Sequence, residues 1–232
     1  MRLPSPLLRG RLVRRYKRFL ADVECKDGTV VTAHCPNPGS MLGLDAPGAE
    51  VWLSPARAPR RRLPYSWELV RVGGHLVGVN TAHPNRIVEE GIRAGKVPEL
   101  GGYATLRREV AYGRNSRIDL LLEAPDRPPC YVEVKNVHLK RGRLAEFPDA
   151  VTRRGAKHLT EMADMVAAGF RAVTVYLVQR EDCEGFAVAA DIDPDYARAL
   201  KAARARGVET ICYGCRLTTR SITLATPLAL YL

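Results

Sequence analysis

Residues 117–137 read RIDLLLEAPDRPPCYVEVKNV. Two apolar runs flank a proline-rich break, and Asp119, Glu133 and Lys135 stand inside those runs. A strand alternates its side chains between faces, so Glu133 and Lys135 share one face while Val132 and Val134 take the other. Asp119 shares a face with Arg117 and Leu121. If the runs are strands paired across the proline turn, Asp119 and Glu133 converge with the Lys135 ammonium beside them. Two carboxylates at short range repel unless a cation lies between them. Mg2+ accepts such a site, taking one or two carboxylates and keeping waters, and a bound metal acidifies water and holds a phosphate oxygen. A neighbouring lysine can orient the attacking water or offset charge building on the phosphate. The plainer reading is an outward polar face with a weak ion pair, because an E-x-K triplet alone is common.

Outward from this stretch, the chain divides in two. Residues 11–80 read as short strands separated by turns: RYKRFLADVEC ends at KDG, TVVTAHC precedes the turn-rich PNPGSMLG, and SWELVRVGGHLVGVN turns back at Gly73-Gly74. Such a run predicts a small barrel of the oligonucleotide-binding (OB) type over residues 1–82. From residue 83 the pattern changes. PNRIVEEGIRAG carries a helix with a proline start and a glycine stop. ATLRREVAY and the two runs of the opening stretch follow as strands. The segment from Phe147 to Gly169 has apolar residues at helical spacing, Leu159, Met162, Met165 and Val166. Residues 172–179 form a β-branched strand buried on both faces. DPDYARALKAARARG is a helix with Asp193 as N-cap, Pro194 in first position and Gly207 past its end. The order α-β-β-β-α-β-α-β predicts a three-layer αβα core with a mixed sheet over residues 83–232. The fold class is therefore α/β (α+β), in two domains.

With 36 Lys and Arg against 25 Asp and Glu, the chain has a net charge of +11. A basic surface draws polyanions, nucleic acid above all. No apolar run is long enough to span a membrane, and the basic N-terminus lacks the apolar centre of a signal peptide, so a cytoplasmic protein is expected, nucleoid association included. The six cysteines form no disulfide framework. Cys212 and Cys215 make a lone CxxC, which lacks the further ligands a zinc site needs. In RRYKRF (14–19) cations alternate with rings, as in single-strand binders: Arg15, Lys17 and Arg18 are candidate phosphate contacts, while Tyr16 and Phe19 are expected in the core. The basic loop 57–62, with Arg60, Arg61 and Arg62, is a candidate phosphate clamp. Arg154 and His158 lie four apart on one helix face, with Lys157 beside it. They can meet a phosphate or bond the carboxylates. His138 has no evident partner and is expected at the surface.

The array Asp119, Glu133-Val134-Lys135 in this element order resembles the PD-(D/E)XK nuclease superfamily. The whole chain resembles the sugar fermentation stimulation protein A family more closely. The matching stretches include RYKRFLADV (15–23), HCPNPGSM (34–41), SRIDLLLE (116–123), YVEVKNV (131–137) and FPDAVTRRGAKHL (147–159). The resemblance implies an N-terminal OB barrel, a nuclease-like C-terminal domain, DNA binding and a link to regulation of sugar metabolism. It further implies that Asp119 and Glu133 ligate Mg2+ or Mn2+, with the Val134 carbonyl as a third oxygen and Lys135 assisting the water. Such nucleases often add a glutamate from the first helix, here Glu90, on the Ile87 side, in preference to Glu89. Ile118 stands where the superfamily's nominal proline would be.

Two functions fit: a metal-dependent nuclease whose barrel grips DNA, or a DNA-binding regulator that keeps a nuclease fold without cutting. A metal-dependent phosphatase of nucleotides is a third. Single- or double-stranded DNA both fit, and many nucleases of this class act as homodimers, though no residue pattern marks a dimer surface.

Overall fold

The computed structural model describes residues 1–56, 62–113 and 116–232. Its first six strands are β1 (Leu8–Tyr16), β2 (Leu20–Cys25), β3 (Val30–His34), β4 (Glu50–Pro55), β5 (Tyr65–Val72) and β6 (His75–Gly78). They pair in the order β3-β2-β1-β4-β5-β6, and a parallel pairing of β3 with β5 closes the first five into a barrel. Closure removes the free edges that five short strands would otherwise expose. Leu12, Val23, Ala33, Leu53 and Trp67 fill the interior, and the Trp67 indole N–H donates to the Leu69 carbonyl at 2.9 Å. Gly73 and Gly74 have φ of 55° and 85°, the left-handed pair that a tight hairpin requires.

The expected single strand RYKRFLADVEC is two strands. The chain reverses after Tyr16, with Lys17 and Arg18 at φ of 46° and 63°. Neither residue favours that conformation, so no turn signal appears in the sequence; the β1–β2 ladder, which pairs Tyr16 with Leu20, holds it. The rings follow suit. Phe19 is 42% exposed, and Tyr16 lies beneath the Arg14 guanidinium with its hydroxyl donating to Asp22. Neither is in the core, contrary to the sequence expectation.

The second domain contains α1 (Pro84–Arg93), β7 (Thr105–Tyr112), β8 (Ser116–Ala124), β9 (Arg127–Val137), β10 (Leu139–Arg141), β11 (Leu144–Phe147), α2 (Arg153–Ala167), β12 (Arg171–Val178), β13 (Gly185–Val188), α3 (Pro194–Ala205), β14 (Glu209–Leu217), β15 (Ile222–Pro227) and β16 (Ala229–Tyr231). Its main sheet has the order β15-β14-β12-β9-β8-β7 and is mixed: β9, β12 and β14 are parallel, the outer pairs antiparallel. The β-branched β12 lies at its centre. One face packs Ile87 and Val88 of α1, with Trp52 and Leu69 of the barrel, on Val132, Val134 and Val175. The other face packs Leu159 and Met162 of α2 and Tyr196 and Leu200 of α3 on Tyr176 and Val178.

Two features depart from the sequence expectation. Pro128 and Pro129 lie within β9, not in the connection. The β8–β9 register shifts beside them, and such an irregularity tolerates the missing N–H groups. A second sheet, β10-β11-β13-β16, is built of strands of only three or four residues, too short for a period-two pattern. Cys212 and Cys215 both lie in β14, on opposite faces of the sheet, one in each core cluster. Three residues apart on a strand, they cannot form a metal pair.

Candidate active site

The β8–β9 ladder pairs Leu120 with Val132, Leu121 with Tyr131 and Leu122 with Cys130. At Asp119 the side chain takes over: its Oδ2 accepts the Val134 backbone N–H at 2.7 Å. Glu109, on the neighbouring strand β7, has φ of 53°, an uncommon conformation for a non-glycine residue inside a strand. Asp119 Oδ1 accepts the Asn85 side-chain amide, from the first turn of α1, at 2.7 Å. The same amide lies 3.4 Å from Glu109 Oε1.

Glu133 is 4% exposed. Its Oε1 accepts the Lys135 ammonium at 2.6 Å and meets Nδ1 of His158 at 2.6 Å. Arg154 Nε donates to His158 Nε2 at 3.3 Å, so the ring carries its proton on Nδ1 and accepts through Nε2. Arg154, His158, Glu133 and Lys135 thus form one chain of contacts running from α2 to β9. Glu133 Oε2 is buried with no hydrogen-bond partner among the described residues, and so is the Tyr112 hydroxyl. Native proteins rarely leave such atoms unmatched.

The electrostatics separate the two acids. Burial and then the Glu133 charge push the Asp119 carboxyl up to about 6, despite the Val134 N–H, Lys135 and Asn85. Burial also opposes ionisation of Glu133, but Lys135 and His158 outweigh it and hold that carboxyl below its ordinary value. Burial, with the charges of Glu133, Glu161 and Asp119, pushes the Tyr112 phenol up and keeps it protonated.

These observations fit a divalent cation. One buried carboxylate oxygen lacks a partner, and the neighbouring acid resists ionisation partly because of a like charge. Among the described residues no three His, Cys, Asp or Glu side chains gather to hold an ion. A cation here would therefore take two carboxylates and complete its shell with other oxygens, the habit of Mg2+.

Of the residues singled out in the sequence, Asp119, Glu133, Lys135, Arg154 and His158 come together around β8, β9 and α2. Lys157 reaches Ser116 Oγ at 3.4 Å and Glu161 at 3.5 Å. Glu90 does not join Asp119: it pairs with the Met1 ammonium at 2.6 Å and Arg86 at 2.9 Å. Glu89 pairs with Arg93 and Arg108. The α1 residue that reaches Asp119 is Asn85, a neutral amide that no ligand pattern in the sequence marks. Val134 contributes its N–H to Asp119.

On the barrel, Arg15 is turned inward. Its guanidinium donates to the carbonyls of Arg18, Asn37, Gly39 and Ser40, which leaves it a brace for the PNPGS loop. Lys17, Arg18 and Arg62 are exposed, and Arg18 lines a cleft facing His138 and Asp149. Arg60 and Arg61 lie outside the described residues. His138 corrects the sequence expectation: it is 4% exposed, with Nδ1 3.0 Å from the Asn136 amide and Nε2 3.1 Å from Asp149 Oδ2. The partner arrives only because β10 and β11 carry the chain back.

Comparison with known proteins agrees with this architecture. Residues 13–79 match the profile described as SfsA N-terminal OB domain, and residues 82–221 match the sugar fermentation stimulation protein RE domain. A sugar fermentation stimulation protein homolog of Paramagnetospirillum magneticum is 66% identical, covering 99% of this chain and 98% of its own. One from Rhodospirillum centenum is 66% identical over 96% of each chain. The solved structure of Pyrococcus furiosus SfsA in complex with Ca2+ superposes with a TM-score of 0.90 at 27% identity, covering 100% of this chain and 98% of that one. The chain belongs to the sugar fermentation stimulation protein family.

Proposed function

We propose that this protein binds DNA and cleaves its phosphodiester backbone with Mg2+ or Mn2+ held by Asp119 and Glu133. The observation that carries the reading is the buried, unpartnered Glu133 Oε2 beside an Asp119 pushed up to about 6. The Ca2+ complex of the archaeal relative supports it, since Ca2+ shares the preference of Mg2+ for hard oxygens. When bound, the cation supplies Lewis acidity and a more acidic water. His158 fixes the Glu133 carboxylate through Nδ1, and Asn85 and the Val134 N–H fix Asp119; the Val134 carbonyl is the candidate third oxygen. Lys135, now on Glu133, is free to turn to the phosphate or its attacking water once Glu133 has another partner. Arg154 supplies a cation at the rim, and exposed Lys17, Arg18 and Arg62, with the net charge of +11, attract the strand.

The test incubates supercoiled and circular single-stranded DNA with the protein in Mg2+, in Mn2+ and in EDTA, alongside Asp119→Asn. Cutting by the wild type in metal alone, with the variant binding DNA but not cutting, is the expected result. Equal binding by both with no cutting in any metal would make the protein a non-catalytic DNA-binding regulator.

A further inference from the structure

Between the barrel and α1 lies a second polar cleft of about 420 Å3, within the usual range for small-ligand sites. Glu68 of β5, 3% exposed, forms its floor. Glu68 Oε1 accepts the Ser54 hydroxyl at 2.6 Å, and Oε2 accepts the Asn80 amide at 2.9 Å and meets His83 Nε2 at 2.6 Å. Burial works against its ionisation, but His83, Ser54 and Asn80 outweigh it and hold the carboxyl below its ordinary value. An ionised Glu68 fixes a proton on His83 Nε2. His83 lines the cleft, and as the N-cap residue of α1 its side chain makes no capping hydrogen bond, which leaves Nδ1 open. Arg2, Arg86 and Arg108 line the same cleft. Arg86 bonds the half-exposed Glu90 at 2.9 Å, and Arg108 stands 3.7 Å from Glu89.

We propose that this cleft binds the phosphate of a nucleotide. His83 would give Nε2–H to Glu68, and its Nδ1 would accept a hydrogen bond from the hydroxyl of a monoprotonated phosphate. Arg86 and Arg108 supply planar donors suited to the remaining oxygens. A latch between domains would need the Glu68–His83 contact, but neither an open ring nitrogen nor a cationic rim. The cleft also adjoins the first site. His83 and Arg86 flank Asn85, which holds Asp119, and Arg108 precedes Glu109, whose carboxylate lies 3.4 Å from the same amide. That the phosphate belongs to a nucleotide rests on the nucleic-acid reading of the Asp119 site; the anion chemistry of the cleft does not.

The experiment uses the full chain in EDTA, so that metal chemistry is silent. Inorganic phosphate, a nucleoside 5′-monophosphate and a short 5′-phosphorylated oligonucleotide are titrated separately, by calorimetry and by NMR of the 15N-labelled histidine rings. The expected result is a shift of the His83 ring signals with His158 unmoved, and binding weakened about tenfold in Arg108→Ala and in His83→Gln. Arg108→Ala, on the surface, should melt within about 2 °C of the wild type, so its loss of binding is not unfolding. Asp119→Asn should bind as the wild type does, and a failed cleavage assay leaves the result standing. A His83 signal unmoved by about 10 mM of every ligand, undiminished binding in both cleft variants, or inorganic phosphate binding as tightly as the nucleotides would each overturn the proposal. Response to the oligonucleotide or to the monophosphate tells whether a strand or a free nucleotide is the source.

Discussion

At the scale of the residue, the candidate site rests on two acids made unlike by their neighbours. Asp119 is pushed up to about 6 from 3.8, first by burial and then by Glu133. Below 3.8 folded and unfolded chains both hold that proton. Between there and about 6 only the folded chain does, so stability falls as pH rises through the window. At neutral pH the ionised, metal-free Asp119 destabilises the fold by roughly 2 kcal/mol once its partial exposure is allowed for. Asp119→Asn should therefore raise the melting temperature of the metal-free protein at pH 7 by about 5 °C and leave it unchanged near pH 3. Mg2+ or Mn2+ should stabilise the wild type and not the variant, because the cation does for the carboxylate what the amide does. A variant melting below the wild type at pH 7 would contradict this electrostatic account. His158 is a positioning residue in the same set. His158→Ala removes one of the two donors on buried Glu133 Oε1 and should cost about 1–3 kcal/mol in urea unfolding. It should also weaken metal binding, read by calorimetry, while DNA affinity in EDTA stays unchanged.

At the scale of the element, α2, which delivers Arg154 and His158, is tied at its start to the start of α3. Asp193 caps α3 by accepting the Tyr196 N–H at 2.9 Å through Oδ1. Its other oxygen accepts the Thr152 N–H at 2.7 Å. Thr152 in turn caps α2, its hydroxyl accepting the Gly155 N–H at 3.2 Å. Asp193→Ala should thus cost more than the usual cap, about 2–3 kcal/mol in denaturant unfolding, and should raise hydrogen exchange at the first turns of both α2 and α3. Exchange confined to α3 would mean that the two caps are independent. The caps and breakers that bound α1 and α3 were readable in the sequence because they are local: Pro84, Asp193, Pro194 and Gly207 act on neighbouring backbone. The reversal at Lys17 and Arg18 was not readable, because the ladder on either side imposes it on residues that do not favour it.

At the scale of the whole molecule, Asp149 is a strut between the domains. Its Oδ2 accepts the Met41 N–H at 3.0 Å and meets His138 Nε2 at 3.1 Å, and its carbonyl accepts the Ser40 hydroxyl. Burial opposes its ionisation, but His138 and the Met41 N–H outweigh that and hold the carboxyl below its ordinary value. Its contribution is present above the ordinary carboxylate value and is lost as pH falls below it. Gly39 approaches so closely that an added Cβ would stand 2.5 Å from Asp149 Oδ2. Gly39→Ala should separate the strut and cost about 1–3 kcal/mol, with increased proteolysis at the seam between barrel and nuclease-like domain. An unchanged melting temperature and digestion pattern would show that the domains do not depend on this contact.

The sequence by itself determined what alternation, breakers and charge can write into neighbouring residues. It marked the barrel strands apart from the break between β1 and β2, the buried β12, the helices with proline starts, and Asp119, Glu133 and Lys135 on two runs that converge if they pair. It also marked Arg154 and His158 as one helix face, since four residues make a turn. Only the tertiary structure decided which groups meet across distance. Asn85 reaches Asp119 from another element, Glu90 turns to the Met1 ammonium, and Arg15, expected as a phosphate contact, braces the PNPGS loop. His138 gains Asp149 after an eleven-residue excursion. The physical reason is the same in each case. A side chain's partner is set by packing of elements far apart in the chain, and periodicity specifies a face without specifying what lies opposite it.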